Sequence, residues 1–344
     1  MKTTIDRIPD DPCLLCGVNK ADKPGSHFTP AGIIKKVVGE RDKEEIYSID
    51  AAEHSISRFM GRANLKNEDP EIKKGGHVAD YILCSSCEKK LGDIEGLCNQ
   101  KLNLLVDDLA KGSLKVQRTK KHNKFIPLPG VDKNVLALYL YSVVWRQCLS
   151  QELGNGARML LSHEQEQLRQ IVSTGINMPL KEIKADNAYA GYPGLQLLTT
   201  YHNGETSANM FNPNDHRTNP YLFFVGPYSV LLHLGPAVSH DFSTKTGLPS
   251  TIVDRDLIIN TAAIPPVAIV NETIWNGSVR GLMSRQAEIH NSRIYTELSQ
   301  TAGIPYELAK QLILQETSRL LEKYPNDSSR CMNLALHNLL SKLN

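Results

Sequence analysis

Apolar spacing divides the chain into helical stretches on either side of a strand-rich middle. From Cys87 to about Leu109, apolar residues Leu91, Ile94, Leu97, Leu102, Leu105 and Leu109 recur at near-helical intervals, which predicts one long amphipathic helix. Asp132 is suited to cap a second helix over 133–150 that is apolar on nearly every face and therefore belongs at the centre of a core. A third is predicted from Ser162 to about Thr174, with Ser162 and Gln165 in a capping-box pattern. Between 188 and 275 the helical period gives way to β-branched and aromatic runs. Residues 195–201, 221–225, 228–234 and 267–270 read as strands, with Gly226-Pro227 as a tight turn. Helical spacing returns near 282–302, 305–323 and 328–342, separated by Gly303-Ile304-Pro305 and by Tyr324-Pro325-Asn326-Asp327.

The N-terminal third is less regular. A short helix is predicted to start at Pro30, residues 40–76 are charged and broken by Asp69-Pro70 and Gly75-Gly76, and 77–83 read as a strand leading to Cys84. The fold class expected is α+β. Residues 1–110 form a small module, 111–130 a basic linker, and 131–344 a larger domain with helices over 132–174, strands over 188–275 and helices over 282–342. A length of 344 residues with 41% hydrophobic content supports two such units.

Charge adds one local feature. The net charge of +2 describes no partner, but Lys111, Lys115, Arg118, Lys120, Lys121 and Lys124, with His122, form a run without an acidic residue. A run of this kind suits either a solvated linker or an arm that contacts phosphates. No apolar stretch approaches the ~20 residues needed to span a bilayer, so no membrane association is expected.

Cysteine spacing carries the strongest chemical signal. Cys13-Leu14-Leu15-Cys16 and Cys84-Ser85-Ser86-Cys87 are two Cys-x-x-Cys pairs, and four thiolates so arranged can close a tetrahedral Zn²⁺ site. The polar opening Met1–Arg7 and the odd total of seven cysteines predict a reducing cytoplasmic setting, in which paired spacing favours metal over disulfide. Cys98, Cys148 and Cys331 lack partners at ligand spacing and read as small buried hydrophobes. Between the pairs lies Ser26-His27-Phe28-Thr29-Pro30, so zinc would pin the segment bearing His27, a candidate general base. Arg146, within the apolar helix, reads as a paired or snorkelling arginine, and Asp254-Arg255-Asp256 as a surface turn. His202, His216, His233 and His240 show no recurring ligand spacing.

The order Cys-x-x-Cys, Ser-His-x-x-Pro, then Cys-x-x-Cys-Glu resembles the zinc-containing HNH (His-Me finger) endonucleases over roughly the first third of the chain. It is similar above all to a bacterial group with Ser-His-Ile-Ile-Pro and Leu-Cys-x-x-Cys-Glu motifs and a later Ser-x-x-Trp-Arg helix. Those elements stand here as Ser26–Pro30, Leu83–Glu88 and Ser142-Val143-Val144-Trp145-Arg146. The resemblance implies a treble-clef module with structural zinc on Cys13, Cys16, Cys84 and Cys87. It also implies His27 as the base that activates water, and a catalytic Mg²⁺ or Mn²⁺. Ser26 stands where the family has a metal-binding Asp, and Glu88 where it has a metal-binding His. The family's Asn falls at Ala79, flanked by His77 and Asp80 as replacement ligands.

The function expected is therefore a metal-dependent endonuclease cutting phosphodiester bonds, with DNA favoured over RNA. By analogy it would act in bacterial defence, as a homo-oligomer or an accessory protein. Two other readings stand beside it: a non-catalytic zinc module that binds nucleic acid through the 111–124 run, and a structural adaptor.

Overall fold

The structure, a computed structural model, describes residues 7–33, 45–50, 55–60, 78–153, 159–186, 188–200, 218–323 and 328–342. His77, most of the charged segment 40–76, His202 and His216 lie outside the described residues. In chain order the elements are β1 (Ser26–His27), β2 (Glu45–Asp50), β3 (Ser55–Met60), β4 (Val78–Ala79), α1 (Ser85–Ala110), β5 (Gln117–Arg118) and β6 (Lys124–Pro127). There follow α2 (Lys133–Leu153), α3 (Ser162–Gly175), α4 (Leu180–Ile183), β7 (Gly194–Thr199), β8 (Tyr221–Val225), β9 (Tyr228–His233) and α5 (Phe242–Thr246). Three short 3₁₀ turns between Ser250 and Thr261 precede β10 (Pro266–Ile269), α6 (Glu272–Ala302), α7 (Tyr306–Lys323) and α8 (Ser328–Ser341). The chain is thus a mixed helix–sheet protein, as its patterning implies.

Helix α2 is the central element. Asp132 caps it, its Oδ1 accepting from Asn134 N (2.9 Å) and Val135 N (3.2 Å). Every side chain from 135 through 149 is buried, so an uninterrupted apolar run becomes a helix enclosed on all sides. Gln147 Nε2, inside it, donates to Phe224 O (2.8 Å) across to β8. Helix α1 packs against α2 through a seam of Leu91, Ile94, Cys98, Leu102, Leu105 and Leu109. Cys98 occupies the seam position expected for Leu97, which instead faces solvent.

A six-stranded sheet with the order β5-β6-β10-β7-β9-β8 covers the other side of the core. All pairs are antiparallel except β10 with β7. The β8–β9 hairpin turns at Gly226 (φ +62°), the left-handed first position such a two-residue turn requires. Tyr228 Oη donates to Leu102 O (2.5 Å), tying β9 to α1.

Several expectations need correction. Residues 111–130 are not a linker: β5 and β6 form a hairpin whose second strand pairs with β10, closed by Thr119 N to Asn123 O (2.9 Å). The compact units are 1–279 and 280–344, so the N-terminal module shares one continuous core with α2 and the sheet. The second unit is helical, packed around Ile294, Leu298, Ile313, Cys331 and Ala335. The strand expected over 77–83 is reduced to Val78–Ala79, because Tyr81 adopts φ +57° and turns the chain toward the cysteine pair. The carboxylate reaching back at the start of α3 is Glu164 rather than Gln165; its Oε2 accepts from Leu161 N (2.7 Å). Asp254 is no surface residue, being 2% exposed.

Candidate metal centre and the His27 cluster

Each Cys-x-x-Cys pair is shaped by its own local structure. Gly17 (φ +68°) follows Cys16 and folds the chain back, so that Gly17 N donates to Cys13 O (2.8 Å) and Cys13 N to Asn19 O (2.8 Å). An L side chain at that φ is strained, which explains glycine there. The second pair opens α1: Cys84 is its cap residue, and Cys84 Sγ accepts from Cys87 N (3.4 Å). Asp22 stabilises the same helix start, taking Ser85 N on Oδ1 (2.7 Å) and Ser85 Oγ on Oδ2 (3.1 Å). Those bonds, the backbone one foremost, hold the Asp22 carboxyl below its ordinary range. Leu14 N to Ile82 O (2.9 Å) and Asn19 Nδ2 to Cys84 Sγ (3.6 Å) join the two pairs.

The result brings Sγ of Cys13, Cys16, Cys84 and Cys87 within 4.8 Å of one another. Tetrahedral Zn²⁺ with Zn–S near 2.3 Å needs sulfur–sulfur separations of about 3.8 Å, so the cluster fits the ion. All four are free thiols, and three are buried. Cys13 is lowered to about 4, chiefly by the hydrogen bond from the Cys87 thiol, with burial opposing and backbone N–H groups assisting; Cys87 is pushed up in return. Four sulfurs gathered this closely can exchange their protons for a cation.

His27 and its neighbours lie beside this centre. The two-residue strand β1 pairs with β4, Ser26 opposite Ala79 and His27 opposite Val78. Ser26 is fully buried, and its hydroxyl is near enough to Glu88, in the first turn of α1, to favour the carboxylate form. The approach is poorly aligned: neither Ser26 Oγ nor Glu88 Oε2 has a hydrogen-bond partner. Burial raises the Glu88 carboxyl, with Arg146 and Ser26 opposing. His27 is lowered, first by burial, then by the positive charge of Arg146, with Glu95 opposing. Its imidazole is therefore neutral at pH 7 and able to accept a proton.

Of the other expected ligands, His77 lies outside the described residues and Asp80 serves a turn. Asp80 Oδ1 accepts from Gly25 N (2.9 Å), stabilising the φ +67° turn that precedes β1. Among the described residues, the four cysteines are the one cluster of three or more His, Cys, Asp or Glu side chains able to hold a metal. His233 ends β9, and burial lowers it to about 4.

Two residues of the cluster carried no functional reading in the sequence. Glu95 follows Glu88 by two helical turns, a carboxylate beside the apolar α1 seam, which was the available signal. Arg146 is the only charged side chain in the buried stretch of α2. The cations Lys111, Lys115, Arg118, Lys120, Lys121 and Lys124 are all exposed on the β5–β6 hairpin and its approach. The hairpin is held by buried Asp254, whose Oδ2 accepts from Thr119 Oγ1 (2.6 Å) and Asn123 Nδ2 (2.9 Å).

No family model matches the chain, and neither a curated protein nor a solved structure does. No helix among the described residues is long and apolar enough to cross a membrane.

Proposed function

We propose that this protein is a zinc-stabilised nuclease of HNH type, acting on DNA, with a treble-clef module that holds Zn²⁺ on Cys13, Cys16, Cys84 and Cys87. The observation that carries the reading is the pair of buried oxygens without partners, Ser26 Oγ and Glu88 Oε2, with Glu88 feeling the same Arg146 and Glu95 charges that act on His27. A buried polar atom left unsatisfied costs about 1–3 kcal/mol, and a cation held by both oxygens would offset that cost. Glu88 would supply the carboxylate oxygen that Mg²⁺ or Mn²⁺ takes, with the neutral hydroxyl of Ser26 as a weaker second ligand. When bound, such an ion supplies charge stabilisation for a phosphodiester undergoing in-line displacement. The chain's own part is proton transfer: His27, neutral and held on β1, takes a proton from the attacking water onto its imidazole.

The experiment is cleavage of supercoiled plasmid by the purified protein with Mg²⁺, Mn²⁺ or EDTA, beside His27→Ala with its zinc content measured. Metal-dependent nicking lost in a zinc-loaded His27→Ala protein supports the nuclease. No nicking with either metal refutes it.

A second reading, nucleic-acid binding without hydrolysis, is favoured by the anchored cationic hairpin. Arg118 and Lys124 sit directly opposite each other in the β5–β6 register, a like-charge pairing that disfavours the isolated hairpin and suits contact with phosphates. Salt-dependent binding to a DNA duplex without turnover would select this reading.

A further inference from the structure

Arg146 joins three elements at one point. Its side chain is 2% exposed. Nε donates to Ser142 O (3.2 Å), Nη1 to His27 O (3.2 Å), and Nη2 to Glu95 Oε1 (2.6 Å) and Ser142 Oγ (3.4 Å). Ser142 is itself fixed, its hydroxyl donating to Tyr139 O (2.7 Å). The guanidinium thus links α2, which bears it, to α1 through Glu95 and to β1 through the backbone of His27.

A buried ion pair is seldom the most stabilising choice; apolar residues of similar volume often do as well. What an apolar residue cannot do is direct N–H groups at a carboxylate and a strand carbonyl at once. Lysine cannot either, because its ammonium is a single point on a flexible stem, whereas the guanidinium is a planar fork. The carbonyl that Arg146 takes belongs to His27 itself, on a strand only two residues long. So short a strand has little pairing of its own to fix the orientation of its side chains.

We propose that Arg146 is the positioning residue for His27: with Glu95 as its partner, it fixes the β1 backbone so that the imidazole is presented at one angle and depth. The proposal rests on the nuclease reading for its effect on turnover. It stands apart from that reading for its effect on His27 reactivity.

The test uses the full-length zinc-loaded protein and two variants. Arg146→Lys keeps the charge and its pairing with Glu95 but loses the fork. Arg146→Met combined with Glu95→Gln removes both charges, leaves no unpaired ion, and guards against a simple failure to fold. Zinc content and the thermal midpoint establish that each variant is folded. Carbethoxylation of His27 by diethyl pyrocarbonate, followed by mass spectrometry, reads the imidazole directly and needs no turnover.

The expected result is a labelling rate at His27 at least threefold above wild type in both folded variants. Plasmid nicking should show kcat at least tenfold lower with KM within twofold, the pattern of a misoriented base rather than weakened binding. Labelling within a factor of 1.5 of wild type in a folded variant overturns the proposal, whatever happens to kcat. Faster labelling with unchanged kcat in an active enzyme overturns it equally. A wild-type protein that cuts nothing refutes the nuclease reading, while the labelling comparison still decides whether Arg146 positions His27.

Discussion

Replacing Asp254 should release the cationic hairpin and destabilise the unit that carries it. The carboxylate is buried and accepts three hydrogen bonds: from Thr119 Oγ1 (2.6 Å), Asn123 Nδ2 (2.9 Å) and Asp256 N (3.1 Å). Hydrogen bonds to a charged group contribute about 1.5–3 kcal/mol each, but three sharing one acceptor do not add. Asp254→Ala also strands the Thr119 and Asn123 donors, so a loss of about 2–4 kcal/mol follows. Asp254→Asn keeps one oxygen for two donors and sets an N–H₂ against Asp256 N–H, for a loss of about 1–2 kcal/mol.

The pH dependence has a definite sign. Burial raises the Asp254 carboxyl, but the bonds from Thr119, Asn123 and Asp256, with the charge of Lys121, outweigh it and hold the group below its ordinary value. A depressed carboxyl stabilises the fold above its unfolded value, near pH 3.8, and that contribution fades as pH falls through the folded one. Urea unfolding followed by tryptophan fluorescence reads this unit, since Trp145 and Trp275 both lie in it. The gap between wild type and Asp254→Asn should be full at pH 7 and shrink from about pH 4 downward. A gap for Asp254→Ala below about 0.5 kcal/mol at pH 7 would refute the anchoring argument, as would a gap that widens in acid.

Metal removal is predicted to act regionally: the protein should carry one zinc, and Cys84→Ser or a strong chelator should abolish amide protection over 12–33 and 78–90 while β7–β9 stay protected, read by hydrogen exchange. Gly175→Ala should cost about 1–3 kcal/mol in urea melts, because its new methyl would lie 2.5 Å from both Leu138 Cδ1 and Tyr189 Oη. Changing Lys115, Arg118 and Lys120 together to Gln should lower the salt slope of duplex binding by about three units without altering zinc content or melting; an unchanged slope would place the phosphate contacts elsewhere.

Long, strongly patterned elements were legible from the residues. The seam of α1, the all-round apolar α2 and the runs at 221–225 and 228–233 appear where their spacing places them, because burial on a helix face or a sheet interior leaves a periodic trace. The cysteine cluster was legible for a similar reason, since ligand chemistry restricts residue type and spacing together. The β5–β6 hairpin was not. Its strands are two and four residues long, carry cations on an exposed edge, and gain their place from β10 and Asp254, far along the chain. Asp254 and Glu95 were opaque in the same way: each is an ordinary carboxylate locally, and only the fold brings Thr119, Asn123 or Arg146 to it. The break at 279–280 leaves no trace of its own because it falls inside the single helix α6.

The pairing of Pro127 with Pro266 also orders events during synthesis. All four cysteines have been made by residue 87, so the metal centre can close while most of the protein does not yet exist. The grip on His27 waits for Arg146. The hairpin's inner neighbour, β10, arrives about 140 residues after β6, on the order of 7–30 s later at ordinary translation rates. For that interval a cationic segment stands without the strand it pairs with in the folded sheet. Residues 250–269, which supply both Asp254 and the missing strand, are what withdraw it into the folded protein.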